Sequence, residues 1–215
     1  MNEEQTLPAT LHAARQPDVH EIIVADGGST DGTRAIAQPL ADIVFEAPRG
    51  RALQMNAAAA RATGDTLLFL HADTLLPDGF ADAVSRACSA GAIGGRFDVR
   101  LEPSSPLLRL VGMLINLRSR LSQIATGDQA IFIRRAEFEQ LGGYAAIPLL
   151  EDVDLSRRMK RAGRTACLHE HVVTSSRRWQ RDGVIRTIVL MWTLRLLYFW
   201  GVSPATLARF YANTR

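Results

Sequence analysis

The sequence predicts an α/β fold with a mostly parallel sheet carrying helices on both faces. Three observations lead there. Short β-branched or apolar runs recur at residues 22–26, 43–45, 67–70 and 130–133. Helix-forming stretches separate them, and strands that alternate with helices make parallel sheets covered on both sides. Two of the runs pass directly into acids and small turn residues, Asp26 followed by Gly27-Gly28 and Leu70 followed by His71-Ala72-Asp73. In open α/β sheets ligands gather at such strand ends.

A chain of 215 residues, 47% of them hydrophobic, can bury one proper core. The expected division is a catalytic α/β unit over residues 1–181 and a helical segment over 182–215, packed on it or at a membrane surface. Cys88 and Cys167 are far apart and lack metal-type spacing, which suits a reducing compartment with free thiols. The opening Met-Asn-Glu-Glu has no basic region or apolar core, so the expectation is a cytoplasmic protein without a signal peptide. The net charge of +3 conceals an asymmetry: residues 157–215 hold twelve Arg and Lys against Glu170 and Asp182, leaving the rest acidic. A basic end on an acidic chain calls for an anionic partner. Nucleic acid is set aside because the cations are not interleaved with aromatics in any binding motif.

The first helix is expected over residues 4–15, with Leu7, Leu11 and Ala14 on one face. The strand ending at Asp26 passes into residues 26–33 (DGGSTDGT) and then a helix, the nucleotide-side layout of an α/β unit. No Lys follows the glycines and the dinucleotide spacing is absent, so this is neither a Walker loop nor a dinucleotide fingerprint. Asp26 can accept from a base or ribose, and Asp31 reads as a helix cap. Residues 50–62 form a helix of good formers whose polar exceptions are Arg51 and Asn56. After the apolar run at 67–70, His71 and Asp73 are either turn residues or a pair that meets a metal-bound phosphate.

A helix over 80–90 and a strand over 92–101 follow, with Phe97 and Val99 on one face. In the helix over 106–121, Arg109, Asn116 and Arg120 share a line and leucines cover most of the rest. Such a helix lies in a membrane interface or packs in a core or dimer. Glu151, Asp152 and Asp154 open a helix whose later turns are basic, as the helix dipole favours. Three acids in four residues also crowd carboxylates and raise pKa values, which a general base near neutral pH requires. Strands are expected at 165–168 and 172–176. His169 and His171 alternate onto one face but lack a third ligand. Arg177-Arg178-Trp179 sets guanidiniums beside an indole, suited to a diphosphate and a stacked ring. Residues 184–200 make a long apolar helix, too short and too charged to span a bilayer.

Together, Asn2-Glu3, residues 26–33, His71-Ala72-Asp73, Gly127-Asp128-Gln129, Glu151-Asp152 and Arg178-Trp179 resemble the family 2 glycosyltransferases, in order and over nearly the whole chain. Within the family the chain looks most like a small bacterial branch associated with radical-SAM and selenodomain proteins. The resemblance implies a Rossmann-like glycosyltransferase A-type fold, a nucleotide-sugar donor (a UDP-sugar above others), Mg²⁺ or Mn²⁺, and transfer with inversion to a small-molecule or lipid acceptor. It assigns Asp152 as catalytic base with Glu151 in support. It places Asp26, Arg51, His71, Asp73, Arg178 and Trp179 on the donor, and Gly127, Asp128 and Gln129 on the acceptor side. The metal ligands it implies are Asp73 and His71, although His71 stands where the family has Asp and Gly27 where it has a second acid. The family's first strand is expected to be missing, the chain opening where that strand should already have ended. Peripheral contact with the inner face of a membrane completes the expectation.

Rival chemistries fit less well. A haloacid-dehalogenase phosphatase needs a nucleophilic Asp at the position of His71. A sugar-nucleotide nucleotidyltransferase needs a Gly-rich loop with Arg and Lys near the start. A non-enzymatic membrane or partner-binding protein on the same scaffold would make Asp73 and Asp152 dispensable.

Overall fold

The apolar runs become strands and the polar, Gly-containing stretches become the turns between them. The computed structural model describes residues 1–213. The first half contains α1 (Leu7–Ala14), β1 (Ile23–Asp26), α2 (Thr33–Ala37), β2 (Ile43–Glu46), α3 (Arg51–Ala59), β3 (Thr66–Phe69), β4 (Thr74–Leu75), α4 (Phe80–Ser89) and β5 (Gly94–Glu102). Then come α5 (Pro106–Ser122), a 3-10 turn (Gly127–Gln129), β6 (Ile131–Arg134), α6 (Arg135–Gln140), α7 (Glu151–Ala162), β7 (Thr165–Ser175), α8 (Arg177–Asp182), α9 (Val184–Phe199) and α10 (Pro204–Asn213).

The sheet differs from the mostly parallel expectation. β1 and β2 form a parallel pair of their own, and the remaining strands form a second sheet in the order β3-β6-β5-β7-β4. In that sheet only β5 and β7 run parallel; β3–β6, β5–β6 and β4–β7 are antiparallel. Alternation of helices and strands fixes the layers but not the direction in which a strand re-enters, and β6 slots between β3 and β5 running against both. The two strands expected at 165–168 and 172–176 are one: residues 168–170 bulge between the Arg96–Cys167 and Asp98–His171 pairs, and the pairing with β5 resumes at His171.

β3 and β4 are opposite edges of the second sheet, yet only residues 70–73 lie between them. Four strand intervals would make a flat sheet roughly 19 Å wide, while the chain from residue 69 to 74 reaches about 18 Å fully extended. Part of that reach goes into a turn, where the Thr74 N–H donates to the His71 carbonyl at 3.1 Å. The sheet therefore curls until its edges approach, and residues 71–73 cross the mouth of the curl. Gly94 and Gly95 sit in the middle of it, where a Cβ would collide with the Phe132 and Ala166 carbonyls.

Helices cover both faces. Leu7 and Leu11 of α1 and Phe80 and Val84 of α4 pack with Phe97, Val99, Phe132 and Val172. Leu155 and Met159 of α7 and Phe138 of α6 pack with Ile131 and Ile133. β5 buries both of its faces: Phe97 and Val99 as expected, and also Arg96 and Asp98, which are 3% and 6% exposed. A buried charge needs a partner. Asp98 accepts from Arg96 on its own strand and from Arg120 of α5 at 2.6 Å.

That pairing sets the roll of α5. Asn116 accepts from the Val99 N–H at 2.9 Å and donates to the Val99 carbonyl at 3.1 Å. Asn116 and Arg120 of the polar line thus face the sheet, Arg109 stays exposed, and Leu110, Leu114, Leu117 and Leu121 face outward. Leu194 of α9 and Leu207 of α10 pack with Leu150 and Val153. Among the described residues, no helix is long and apolar enough to cross a membrane.

Candidate active site

The 26–33 turn is held from both sides. Asp26, 4% exposed, accepts from Ser29 Oγ at 2.5 Å, the Ser29 N–H at 2.8 Å and the Gly28 N–H at 3.1 Å. Burial pushes its carboxyl up, but these hydrogen bonds outweigh it and leave the pKa below its ordinary value. Both oxygens expected to read a base are thus engaged in shaping the turn. Asp31, expected as a cap, stands one residue ahead of the α2 N-cap Gly32 and accepts from the Thr33 N–H at 3.1 Å and Oγ1 at 2.5 Å. Asn2 and Glu4 clasp the turn from outside, accepting from the Thr30 and Gly32 N–H groups at 2.9 Å each.

His71 and Asp73 leave the strand end as the turn already described. His71 reaches the 3-10 turn so closely that a Cβ on Gly127 would lie 2.5 Å from His71 Nε2 and 3.7 Å from Asp152 Oδ2. Only glycine admits the imidazole there. The Gly127 N–H donates to Asp152 Oδ2 at 2.7 Å, and Asp152 Oδ1 accepts from the Val153 N–H at 2.7 Å. Burial first, and Arg51 next, hold the His71 pKa below its ordinary value against the pull of Asp128, Asp73 and Asp152. The ring is therefore neutral at neutral pH, with a lone pair to offer.

Of the three acids opening α7, Asp154 turns away into an ion pair with Arg158 at 2.8 Å. Glu151 is 4% exposed, and burial together with Asp152 raises its pKa, opposed by Arg51. Asp128 shares the cluster, and its Oδ1 is buried without a hydrogen-bond partner. Gln129 does not reach the acceptor side as expected. It is fully buried, its Oε1 accepts from the Thr126 N–H at 3.2 Å, and its Nε2 reaches the Phe97 carbonyl.

Arg178 and Trp179 also lie away from the cluster. Arg178 stands 3.9 Å from Asp182 and over the Tyr211 ring, while Trp179 packs with Leu101, Leu108 and Val111. The preceding residue reaches Asp73 instead: Arg177 meets Asp73 Oδ2 at 3.4 Å and Glu3 Oε2 at 2.9 Å. Two more cations went unrecognised in the sequence. Arg118 of α5 and Arg195 of α9 lie close enough to repel, and Arg118 faces Asp128 and Asp152. Burial and then Arg195 lower its pKa to about 10. Each keeps buried N–H groups without partners. Their signal was a charge on the inner side of an otherwise apolar helix.

Among the described residues, no three His, Cys, Asp or Glu side chains come together as a metal cage. The chain offers a smaller set, the Asp73 carboxylate and the neutral His71 imidazole. That chemistry fits Mg²⁺ or Mn²⁺ shared with substrate phosphates, since Mg²⁺ takes one or two protein carboxylates beside them.

Comparison with known proteins identifies the family and the fold. The model of the "Glycosyl transferase family 2" family matches residues 1–139. The chain is 32% identical over 203 residues to a "PGL/p-HBAD biosynthesis glycosyltransferase" of Mycobacterium bovis and to one of Mycobacterium tuberculosis, covering 88% of this chain and 77% of theirs. Among solved structures, S. aureus TarS (residues 1–349) superposes with a TM-score of 0.64 at 16% identity, over 81% of this chain and 58% of that one. The mannosyltransferase PcManGT of Pyrobaculum calidifontis, in complex with GDP-Man and Mn²⁺, gives 0.59 at 21% identity, over 79% and 53%. The chain thus spans little more than half of these structural relatives, which share its glycosyltransferase A-type fold. With the family model covering well over half of its length and relatives of the same kind at this identity, the chain belongs to family 2 of the glycosyltransferases and is a glycosyltransferase.

Proposed function

We propose that the protein transfers a sugar, with inversion, from a nucleotide sugar (a UDP-sugar in the first instance) to the hydroxyl of a small-molecule or lipid acceptor. One observation carries this: segments 71–73, 127–128 and 151–152 converge on Gly127, whose N–H holds Asp152 and whose bare Cα admits His71. A base, a neutral imidazole and a second carboxylate then face one space, with Arg51 and Arg177 at its border.

In this mechanism Asp152 takes the proton from the acceptor hydroxyl as its oxygen attacks the anomeric carbon in line. The bond from that carbon to the diphosphate oxygen breaks, and the new glycosidic bond forms on the opposite face. Glu151 lies beside it, and its raised pKa lessens the competition of a second negative charge with the base. Asp73 and His71 would hold a Mg²⁺ or Mn²⁺, which supplies positive charge to the departing diphosphate when bound. Arg177 sits beside Asp73 and adds a guanidinium on the same side. Residues 1–181 form the catalytic unit; residues 182–215 attach the enzyme to the inner face of a cell membrane.

Calorimetry with UDP, GDP and dTDP, each with and without Mn²⁺, tests the donor side. Metal-dependent binding of one of them is expected, and binding of none refutes the transferase mechanism. Asp152→Asn should abolish transfer while donor affinity stays within a few fold; surviving activity would place the base elsewhere. Arg177→Ala should weaken nucleotide binding more than Arg178→Ala does, and the reverse order would return that role to Arg178.

A further inference from the structure

The outward side of α5 and α9 has the makings of a lipid-binding surface. α5 is amphipathic in the inverse sense, with Asn116 and Arg120 against the sheet and Leu110, Leu114, Leu117 and Leu121 exposed by 46%, 52%, 53% and 78%. At 3.6 residues per turn these four fall within an arc of about 60°. α9 repeats the pattern with Ile185, Trp192 and Leu196, and Trp200 follows it at 74% exposure. Val184 and Ile188 of α9 pack with Leu108 and Val111 of α5, so the two apolar stripes flank one seam. Unpartnered patches of this kind on a folded protein mark a docking site.

Charge identifies the occupant. Residues 103–127 and 183–215 contain no Asp or Glu, and their charged residues are all Arg. Arg109 borders the α5 stripe and Arg186 the α9 stripe, both on exposed positions. A second copy docking face to face would set two arginine-bearing segments that contain no acid against each other. Anionic headgroups would neutralise them. The two exposed indoles suit the boundary between headgroups and acyl chains. α9, 16 residues and roughly 24 Å long, is too short to cross a bilayer and suited to lie along one. A groove of about 330 Å³ beside it is lined by Arg186, Val189, Leu190, Thr193 and Phe210.

We infer that the α5–α9 face docks the enzyme on an anionic lipid surface, apolar stripes in the acyl boundary and arginines on the headgroups. Arg118 of the same α5 faces Asp128 and Asp152, so this helix links the docking face to the proposed base and to a hydroxyl presented at the lipid surface. This last step rests on the proposed transferase mechanism, while docking itself can be measured without turnover.

Flotation of the full chain with vesicles of phosphatidylcholine, and with vesicles of equal parts phosphatidylcholine and phosphatidylglycerol, tests it. Binding should favour the anionic vesicles by about tenfold or more and weaken with added salt. Leu114→Glu with Leu117→Glu, and separately Trp192→Glu, should reduce binding by about tenfold while thermal unfolding and nucleotide affinity stay unchanged. Equal binding to both vesicles, no binding, or a dimer in light scattering that the same substitutions dissociate would overturn the proposal. Loss of nucleotide binding with vesicle binding intact would count against the transferase mechanism alone.

Discussion

Gly127→Ala tests whether the convergence at the 3-10 turn matters. An added methyl would meet His71 Nε2 at 2.5 Å and Cε1 at 2.8 Å. Ordinary contact needs about 3.5 Å, so the imidazole or the turn must move by roughly 1 Å. The turn is not free to yield, because the Gly127 N–H is bonded to Asp152 and the Thr126 side chain is tied to Gln129. The imidazole must therefore move. Overpacking of this kind destabilises by about 1–3 kcal/mol. A 1 Å misplacement in a reacting constellation lowers the rate by about a hundredfold, or 2.7 kcal/mol of barrier. Thermal unfolding reads the first quantity and steady-state hydrolysis of the best UDP-sugar the second. A variant that melts lower but turns over within twofold of the parent would mean that neither His71 nor the Asp152 geometry contributes to the reaction.

Two further substitutions probe what surrounds the site. Burial and Asp152 raise the Glu151 pKa, so the folded chain keeps a proton that the unfolded chain loses first. Stability is then lost as pH rises from the ordinary carboxylate value to the folded one, and Glu151→Gln escapes that loss. The variant should match the parent at about pH 4 and unfold at higher temperature at about pH 8; equal melting at both would show that Glu151 ionises as freely folded as unfolded. Asp98→Ala leaves Arg96, 3% exposed, without its carboxylate. Breaking a buried pair in this way costs about 3–5 kcal/mol, a fall in melting temperature of roughly 6–20 °C for a chain of this size. A fall under about 2 °C would show that water or another carbonyl takes over.

The residues that meet at the site were legible one by one; their directions were less so. Asp73, His71, Gly127, Asp128 and Asp152 stand out because acids, imidazole and glycine at strand ends and helix starts have few structural reasons to cluster. Asp154 could have been separated from Asp152 by helix geometry, since two residues of α-helix point nearly opposite ways. Arg177 and Arg178 differ by one position at the start of α8, and the phase of a helix start is set by packing that the sequence does not reveal. Gln129 resembles an acceptor contact in sequence and is a cap in the structure, because Thr126 three residues before it closes a reciprocal pair. The layers followed from periodicity. Strand direction did not, since β6 inserts between two strands that precede it. The polar line of α5 was visible, but whether it faced water or Asp98 depended on a charge buried on β5.

The curl of the five-stranded sheet carries a mechanical implication. His71 hangs from one border of the sheet and Asp73 from the other, where the Ser175 N–H donates to the Asp73 carbonyl and the Thr74 and Thr174 hydroxyls pair in the interior. The gap between their side chains is thus a gauge of sheet curvature, and residues that set the curvature can open or close it from a distance. Gly94 and Gly95 are the leading examples: they lie in the middle strand, and a methyl on either would collide with the backbone of a neighbouring strand. Sensitivity to substitution should follow the ribbon of the sheet as much as the radius around Asp152.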